Sequence, residues 1–159
     1  MHKIKGFTFM ELMMAILILG VLSSVAAQVY SQLTLKAHMA EPITYAGTLK
    51  HQITIYYTQH FKFPENNQQA GIPAFNKKMS GKLKSVTIEN GAIHLLIGNK
   101  VPKQLEGKYL TFRPAIDESN EVSPVSWLCG YQQPTEDLKV IGENKTDISK
   151  DFLYGTCGG

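Results

Sequence analysis

Residues 5–20, KGFTFMELMMAILILG, place the tightest constraint on what this chain can become. From Leu12 to Ala27 almost every residue is apolar, interrupted only by Gly20, Ser23 and Ser24, and no charge follows Glu11 until Lys36. A helix of this length and composition spans a bilayer. Lys3 and Lys5 precede it, so the positive-inside rule leaves the N-terminus cytoplasmic and exports the rest. Glu11 is the anomaly, because a carboxylate in apolar surroundings costs several kcal/mol unless something partners it.

Three readings of the segment differ in how they treat that carboxylate. A cleaved signal peptide would use Val25-Ala26-Ala27 as its small-residue site, with Glu11 working against insertion. A plain signal anchor leaves Glu11 unexplained. Cleavage between Gly6 and Phe7 keeps the apolar segment and creates an α-amine at Phe7. That amine lies one helical turn from Glu11, or meets the Glu11 of a neighbouring chain in a staggered stack of helices. A carboxylate that needs a partner drives association and fixes register in a way uniform apolar packing does not.

The stretch KGFTFMELMMAILILGVLSSVAAQVY resembles the N-terminus of type IV pilins and their pseudopilin relatives. Lys5-Gly6, Phe7 and Glu11 match the family's basic leader ending in Gly, its aromatic first mature residue and its Glu at the fifth mature position. The resemblance implies cleavage and N-methylation by a prepilin peptidase, storage in the inner membrane, and extraction by the pilus assembly machinery into a homo-oligomeric extracellular filament of a Gram-negative bacterium. Two positions depart from the pattern: Phe9 stands where Leu is usual, and Gln28 where many members carry Pro. On this reading residues 1–6 are the leader, 7–34 the hydrophobic helix, and 35–159 the exported globular domain.

Beyond Tyr30 the pattern turns amphipathic. Leu35, Met39, Ile43, Ala46, Leu49, Ile53 and Tyr56 recur every three or four residues, one face of a helix. A helix from Phe7 to Gln59 would extend about 80 Å, with a kink expected at Pro42. The Asn-, Gln-, Pro- and Gly-rich stretch 61–81 reads as a long interface loop. Lys84–Glu89 alternates as a strand, Asn90-Gly91 signals a hairpin, and Ala92–Ile97 answers it. Lys108–Arg113 and Val125–Tyr131 read as two more strands. The expected fold is α+β, a long helix against a four-stranded antiparallel sheet. AGIP, SGKLKSVTIENGAIH, LEGKYLTFRP and VSWLCG resemble, more loosely, the corresponding segments of major type IVa pilins. That likeness implies a disulfide between Cys129 and Cys157 bounding the variable region. In an oxidising compartment such a bond contributes roughly 3–4 kcal/mol in the chain-entropy model.

Charge is segregated along the chain. Lys77, Lys78, Lys82, Lys84, Lys100, Lys103, Lys108 and Arg113 oppose only Glu89 and Glu106, whereas residues 117–151 carry eight acids against Lys139, Lys145 and Lys150. These blocks suit either solvated faces or a charge-complementary contact between subunits. The lysines from Lys77 to Lys103 also suit a minor pilin that captures DNA, although no base-stacking aromatics interleave them. A secretion-system pseudopilin is a further alternative. His38, His51, His60 and His94 are scattered without metal-ligand spacing, so no metal or cofactor is expected. No nucleophile or acid/base pair points to catalysis. Tyr56, Tyr57, Phe61, Phe63 and Trp127 read as core, and the Asn144-Lys145-Thr146 sequon as chance. The resulting expectation is a non-enzymatic pilus subunit serving adhesion, motility or DNA uptake.

Overall fold

The computed structural model describes residues 6–73, 81–119 and 123–159. The chain divides into two compact units, with the boundary between Thr34 and Leu35. One helix, α1 (Phe9–His60), supplies residues to both and continues through Pro42. Pro42 lies on the buried stripe with Leu35, Met39, Ala46, Leu49 and Ile53, so its ring fills core space in exchange for the missing N–H. Ile43 and Tyr56, assigned to the same stripe by periodicity, are half-buried. The helix ends at His60 because Phe61 turns left-handed (φ +53°), a position glycine usually takes.

In the second unit five antiparallel strands form the sheet: β1 (Leu83–Glu89), β2 (Ala92–Ile97), β3 (Tyr109–Asp117), β4 (Ser126–Cys129) and β5 (Leu138–Val140). The order is β1-β2-β3-β4. β5 is an addition to the four expected strands. β2 stops pairing with β3 at Ile93↔Phe112, and β5 takes up the same edge of β3 at Ala115↔Val140. The hairpin turn falls at Asn90 and Gly91 (φ +48° and +81°), the two left-handed positions that a tight twisted hairpin needs.

One face of the sheet, carrying Val86, Ile88, Ile93, Leu95, Ile97, Leu110 and Phe112, packs with the buried stripe of α1 in a single core. The Lys50 ammonium stands 4.2 Å from the centroid of the Phe112 ring, and Trp127 donates to Thr54 Oγ1 at 3.4 Å. Burial holds the Lys50 pKa below its ordinary value, and the rings compensate its charge. Phe63 and Tyr57 stack at 4.4 Å beside this core. Phe61 corrects the sequence expectation: it is 74% exposed, because the left-handed turn that ends the helix carries it away from the sheet.

The free edge of β1 is covered by the preceding loop. Asn67 donates from Nδ2 to Val86 O (2.9 Å) and accepts at Oδ1 from Ile88 N (2.7 Å), so one side-chain amide imitates a neighbouring strand. That satisfies two backbone groups which would otherwise template pairing with another chain. At the far end Cys129 and Cys157 form a disulfide, and Tyr131 N donates to Cys157 O at 3.0 Å.

Asn67→Ala should leave the Ile88 N–H and the Val86 carbonyl unpaired and destabilise the domain by about 1–3 kcal/mol. Urea unfolding followed by Trp127, the chain's one tryptophan, measures this. An unchanged midpoint would show that the edge is satisfied some other way.

Candidate functional site

In the first unit α1 runs without interruption and holds its apolar side chains in the open, from Phe9 (74% exposed) to Leu33, and Phe7 just ahead of it is exposed as well. The stretch is long and apolar enough to cross a membrane. Its serine and threonine hydroxyls are satisfied locally. Ser23 donates to Leu19 O and Ser24 to Val21 O, both at 2.7 Å, Ser31 donates to Gln28 O at 2.9 Å, and Thr34 to Tyr30 O at 2.8 Å. A hydroxyl that returns its proton to the helix backbone needs no water. Gln28 lies within this continuous helix.

Glu11 is held in a different way. Thr8 precedes the first helical residue, and its Oγ1 accepts the Glu11 N–H at 3.3 Å. In return Glu11 Oε2 accepts from Thr8 N and Thr8 Oγ1, each at 3.4 Å. This reciprocal pair is a capping box, Thr-x-x-Glu, and it also sets a negative charge at the positive end of the helix dipole. Thr8 is thus a partner for Glu11 other than the Phe7 amine expected from the sequence. The T-x-x-E spacing that announces the cap was present at residues 8–11. The cap starts the helix at Phe9 and leaves Gly6, Phe7 and Thr8 outside it.

The second unit carries its charge at opposite ends of the sheet. β1 begins, β2 ends and β3 begins at one end, and there Lys82, Lys84, Lys100, Lys103 and Lys108 gather. Gly98 N donates to Lys82 O (2.9 Å) and Asn99 Nδ2 to Leu83 O (2.8 Å), which ties the 98–108 connection to the start of β1. Lys108 pairs with Asp147 at 3.4 Å, whereas Lys82, Lys84, Lys100 and Lys103 have no ion pair among the described residues. Lys77 and Lys78, the other two lysines of the basic block, lie outside the described residues. At the opposite end β3 finishes and β5 begins, with Asp117, Glu118, Glu136 and Asp137 beside them. Lys139 pairs with Glu118 there.

The remaining residues noted in the sequence serve the fold. Asn144 Nδ2 donates to Gly130 O (2.8 Å) and Thr146 Oγ1 accepts from Thr111 N (3.0 Å), so both sequon side chains are occupied. His94 is buried on the outer face of the sheet beside Thr111. Among the described residues no cluster of His, Cys, Asp and Glu could hold a metal ion.

Comparison with known proteins adds two family matches. A profile for pilin, a bacterial filament protein, matches residues 36–158, and one for the prokaryotic N-terminal methylation motif matches residues 1–27. A type IV major pilin protein PilE1 of Neisseria gonorrhoeae is 35% identical over 159 residues, covering 96% of this chain and 86% of its own length. A fimbrial protein of Neisseria meningitidis serogroup B is 33% identical, with 96% and 93% covered. The fimbrial protein EcpC of Eikenella corrodens is 30% identical over 128 residues, with 79% and 81% covered.

Thr8→Val preserves the shape of the capping residue and deletes its hydroxyl. It should cost about 1 kcal/mol at the helix start, read as faster amide exchange at residues 9–12 of the full chain in detergent micelles. Exchange at the Glu11 N–H that matches the parent chain would dispose of the cap.

Proposed function

The chain belongs to the type IV pilin family, and from that membership we propose how it is processed and joined to its neighbours. It is a structural, non-enzymatic subunit of a pilus, processed by a prepilin peptidase and assembled into filaments. Cleavage falls between Gly6 and Phe7, so residues 1–6 form the leader, residues 7–34 the membrane and then filament-core helix, and residues 35–159 the exported domain. The precursor resides in the inner membrane of a Gram-negative bacterium, the setting suggested by its Neisseria relatives, until the assembly machinery adds it to the filament.

The capping box is the observation that supports this reading most directly. Because the helix begins only at Phe9, the Gly6–Phe7 bond lies in non-helical chain, the form in which a peptidase can bind a backbone. Gly6 has open space around its α-carbon. In the precursor the Glu11 carboxylate is occupied by Thr8 through two bonds at 3.4 Å, both at the long end of the hydrogen-bond range. Cleavage supplies a charged amine on Phe7 (N-methylation preserves the charge). At 4 Å, with an effective dielectric constant of 20, an ammonium and a carboxylate attract by about 4 kcal/mol before desolvation, and the amine competes with two hydrogen bonds that are already long. Glu11 therefore exchanges a local cap for an amine, and an amine from a neighbouring chain joins two subunits in one register.

We assign the charged ends of the sheet to contacts between domains. A basic end meeting the acidic end of another copy is a heterologous contact, which propagates into an open helical array instead of closing a dimer. Surface pairs of this kind are individually weak and screened by salt, so they tune assembly more than they drive it. The stretch 81–108 contains no Phe, Tyr or Trp, which favours this contact over nucleic acid as the use of its lysines.

The N-terminus and mass of the filament protein test the processing. We expect a chain that starts at methylated Phe7 and keeps Glu11; a chain starting near Gln28 would make this an ordinary secreted protein. Glu11→Ala should be cleaved yet assemble poorly. For the sheet ends, the Lys100→Glu/Lys103→Glu variant should reduce filament yield, and adding Glu136→Lys/Asp137→Lys should restore it. Yield that is indifferent both to the reversal and to raising salt to about 1 M would remove the electrostatic contact while leaving the N-terminal argument intact.

A further inference from the structure

Thr111 is the third residue of β3, and the disulfide-bounded region crosses over it. From β5, on one edge of β3, residues 141–147 pass to the other edge. Ile141 N donates to Pro114 O (2.9 Å), Lys145 N to Thr111 Oγ1 (3.1 Å), and Asp147 N to Tyr109 O (3.2 Å). Asn144 fastens the crossing to Gly130, and Tyr131 Oη donates to Thr146 O at 3.2 Å. Gly142 is required where this segment passes Ala92, since a Cβ there would stand 2.6 Å from the alanine methyl in a left-handed backbone (φ +83°). Glu143 and Asp147 are exposed, and Asn144, Lys145 and Thr146 half-buried. The segment is thus a strap lying on the sheet and fixed by hydrogen bonds.

Beneath the strap lies a histidine with an unmet need. His94 on β2 is 2% exposed. Its Nδ1 is 3.0 Å from Thr111 Oγ1, while its Nε2 is buried without a hydrogen-bond partner. Thr111 Oγ1 accepts the Lys145 amide and keeps a proton that it can donate to Nδ1, the arrangement in which the ring proton sits on Nε2. Glu89 Oε2 lies 3.9 Å from Nε2, beyond hydrogen-bond reach, and the same oxygen accepts from Lys145 Nζ at 2.5 Å. One carboxylate oxygen of β1 therefore lies within 3.9 Å of two nitrogens that can carry charge, Lys145 Nζ on the strap and His94 Nε2 beneath it.

We propose that residues 141–147 form an acid-released strap, in which protonation of His94 draws Glu89 away from Lys145 and lets the segment lift from β3. A proton taken from solvent at Nδ1 makes both ring nitrogens donors. The imidazolium then competes for Glu89 Oε2 and places a positive charge beside the Lys145 ammonium. The charged groups acting on the ring are Glu89 of β1 and Lys145 and Glu143 of the strap. Tyr109 and Arg113 share the outer face of β3 with Thr111 by alternation, and the Arg113 guanidinium donates to Gln132 O. Glu143 favours the cation while closed and so opposes release; burial and Lys145 disfavour it.

Burial, the dominant influence, holds the His94 pKa below its ordinary value. The closed strap consequently binds fewer protons than the open one. Its stability is complete above the ordinary histidine pKa, about 6.5, and is lost as pH falls from there through the lowered closed-state value. Release alters the exposed surface of the disulfide-bounded region while Cys129–Cys157 and the core strands stay in place, and it does not depend on the filament reading.

Hydrogen exchange on the full chain in detergent micelles, at about pH 7.5 and about pH 5 with intrinsic rates corrected, tests this. Protection of residues 138–149 should fall by up to about tenfold for each pH unit between the ordinary histidine pKa and the lowered closed-state value, while residues 83–97 hold theirs. His94→Gln should make strap protection independent of pH, whatever its absolute level. Glu89→Gln should deepen the loss and extend it to lower pH, because the carboxylate supports the cation in the closed strap and without it the closed-state pKa falls further. NMR titration of the parent chain should show the His94 ring and the strap amides sharing one midpoint, a readout that stands even where His94→Gln does not fold. Equal acid loss in parent and His94→Gln, uniform loss across the sheet, or different midpoints for ring and strap would each overturn the proposal.

Discussion

A carboxylate cannot rest unpartnered in an apolar environment, and much of this molecule's N-terminal chemistry follows from that restriction. Removing one ion's partner in a low-dielectric setting costs several kcal/mol, far more than helix propensity at any single position. Glu11 therefore selects its context. With the leader attached it closes a capping box on Thr8. The box fixes the first helical residue and hence leaves the Gly6–Phe7 bond in non-helical chain. Ser23, Ser24, Ser31 and Thr34 obey the same restriction on a smaller scale by returning their protons to the helix backbone.

The globular unit answers the converse problem, covering both faces of a small sheet. The amphipathic half of α1 covers one face through a stripe of apolar residues that the sequence displays openly. Among the described residues the other face is closed by polar means: Thr111 and His94 buried, and the strap hydrogen-bonded across them. An apolar face is robust to pH, whereas a face closed through a buried imidazole is not. The two coverings therefore differ in kind, and the strap belongs to the part of the domain expected to open at lowest free energy.

Features encoded locally were legible in the sequence. The helical stripe, the Asn90-Gly91 hairpin and the apolar N-terminal run all appear where period and turn chemistry placed them. β3 runs to Asp117, beyond the expected Arg113, because Pro114 reads as a strand breaker yet pairs opposite Trp127 without needing its missing N–H. β4 stops at Cys129, short of the expected Tyr131, since Gly130 turns left-handed (φ +54°). β5 has three residues and exists only because β2 leaves part of β3 unpaired. No window of sequence carries that information. The same holds for Asn67 serving β1 and for Lys145 reaching Glu89, 56 residues away. The capping box is the opposite case, a local signal overshadowed by the louder fact of a charge in an apolar run.

The molecule's charges fall into two regimes that suit different tasks. In the apolar segment a single carboxylate meets little dielectric screening and little salt, so one pairing is strong, and it is satisfied only in the register that brings the partner to it. At the ends of the sheet several charges stand in water, where each pair contributes at most about 1 kcal/mol and ionic strength weakens it. Strong and singular interactions specify position; weak and plural ones set how readily surfaces meet in a given medium. A subunit that leaves a membrane and enters a polymer needs both, since register must survive any external salt while the exposed surfaces must not adhere indiscriminately. The separation of the lone acid at residue 11 from the charged blocks between residues 77 and 151 is the arrangement that division of labour requires.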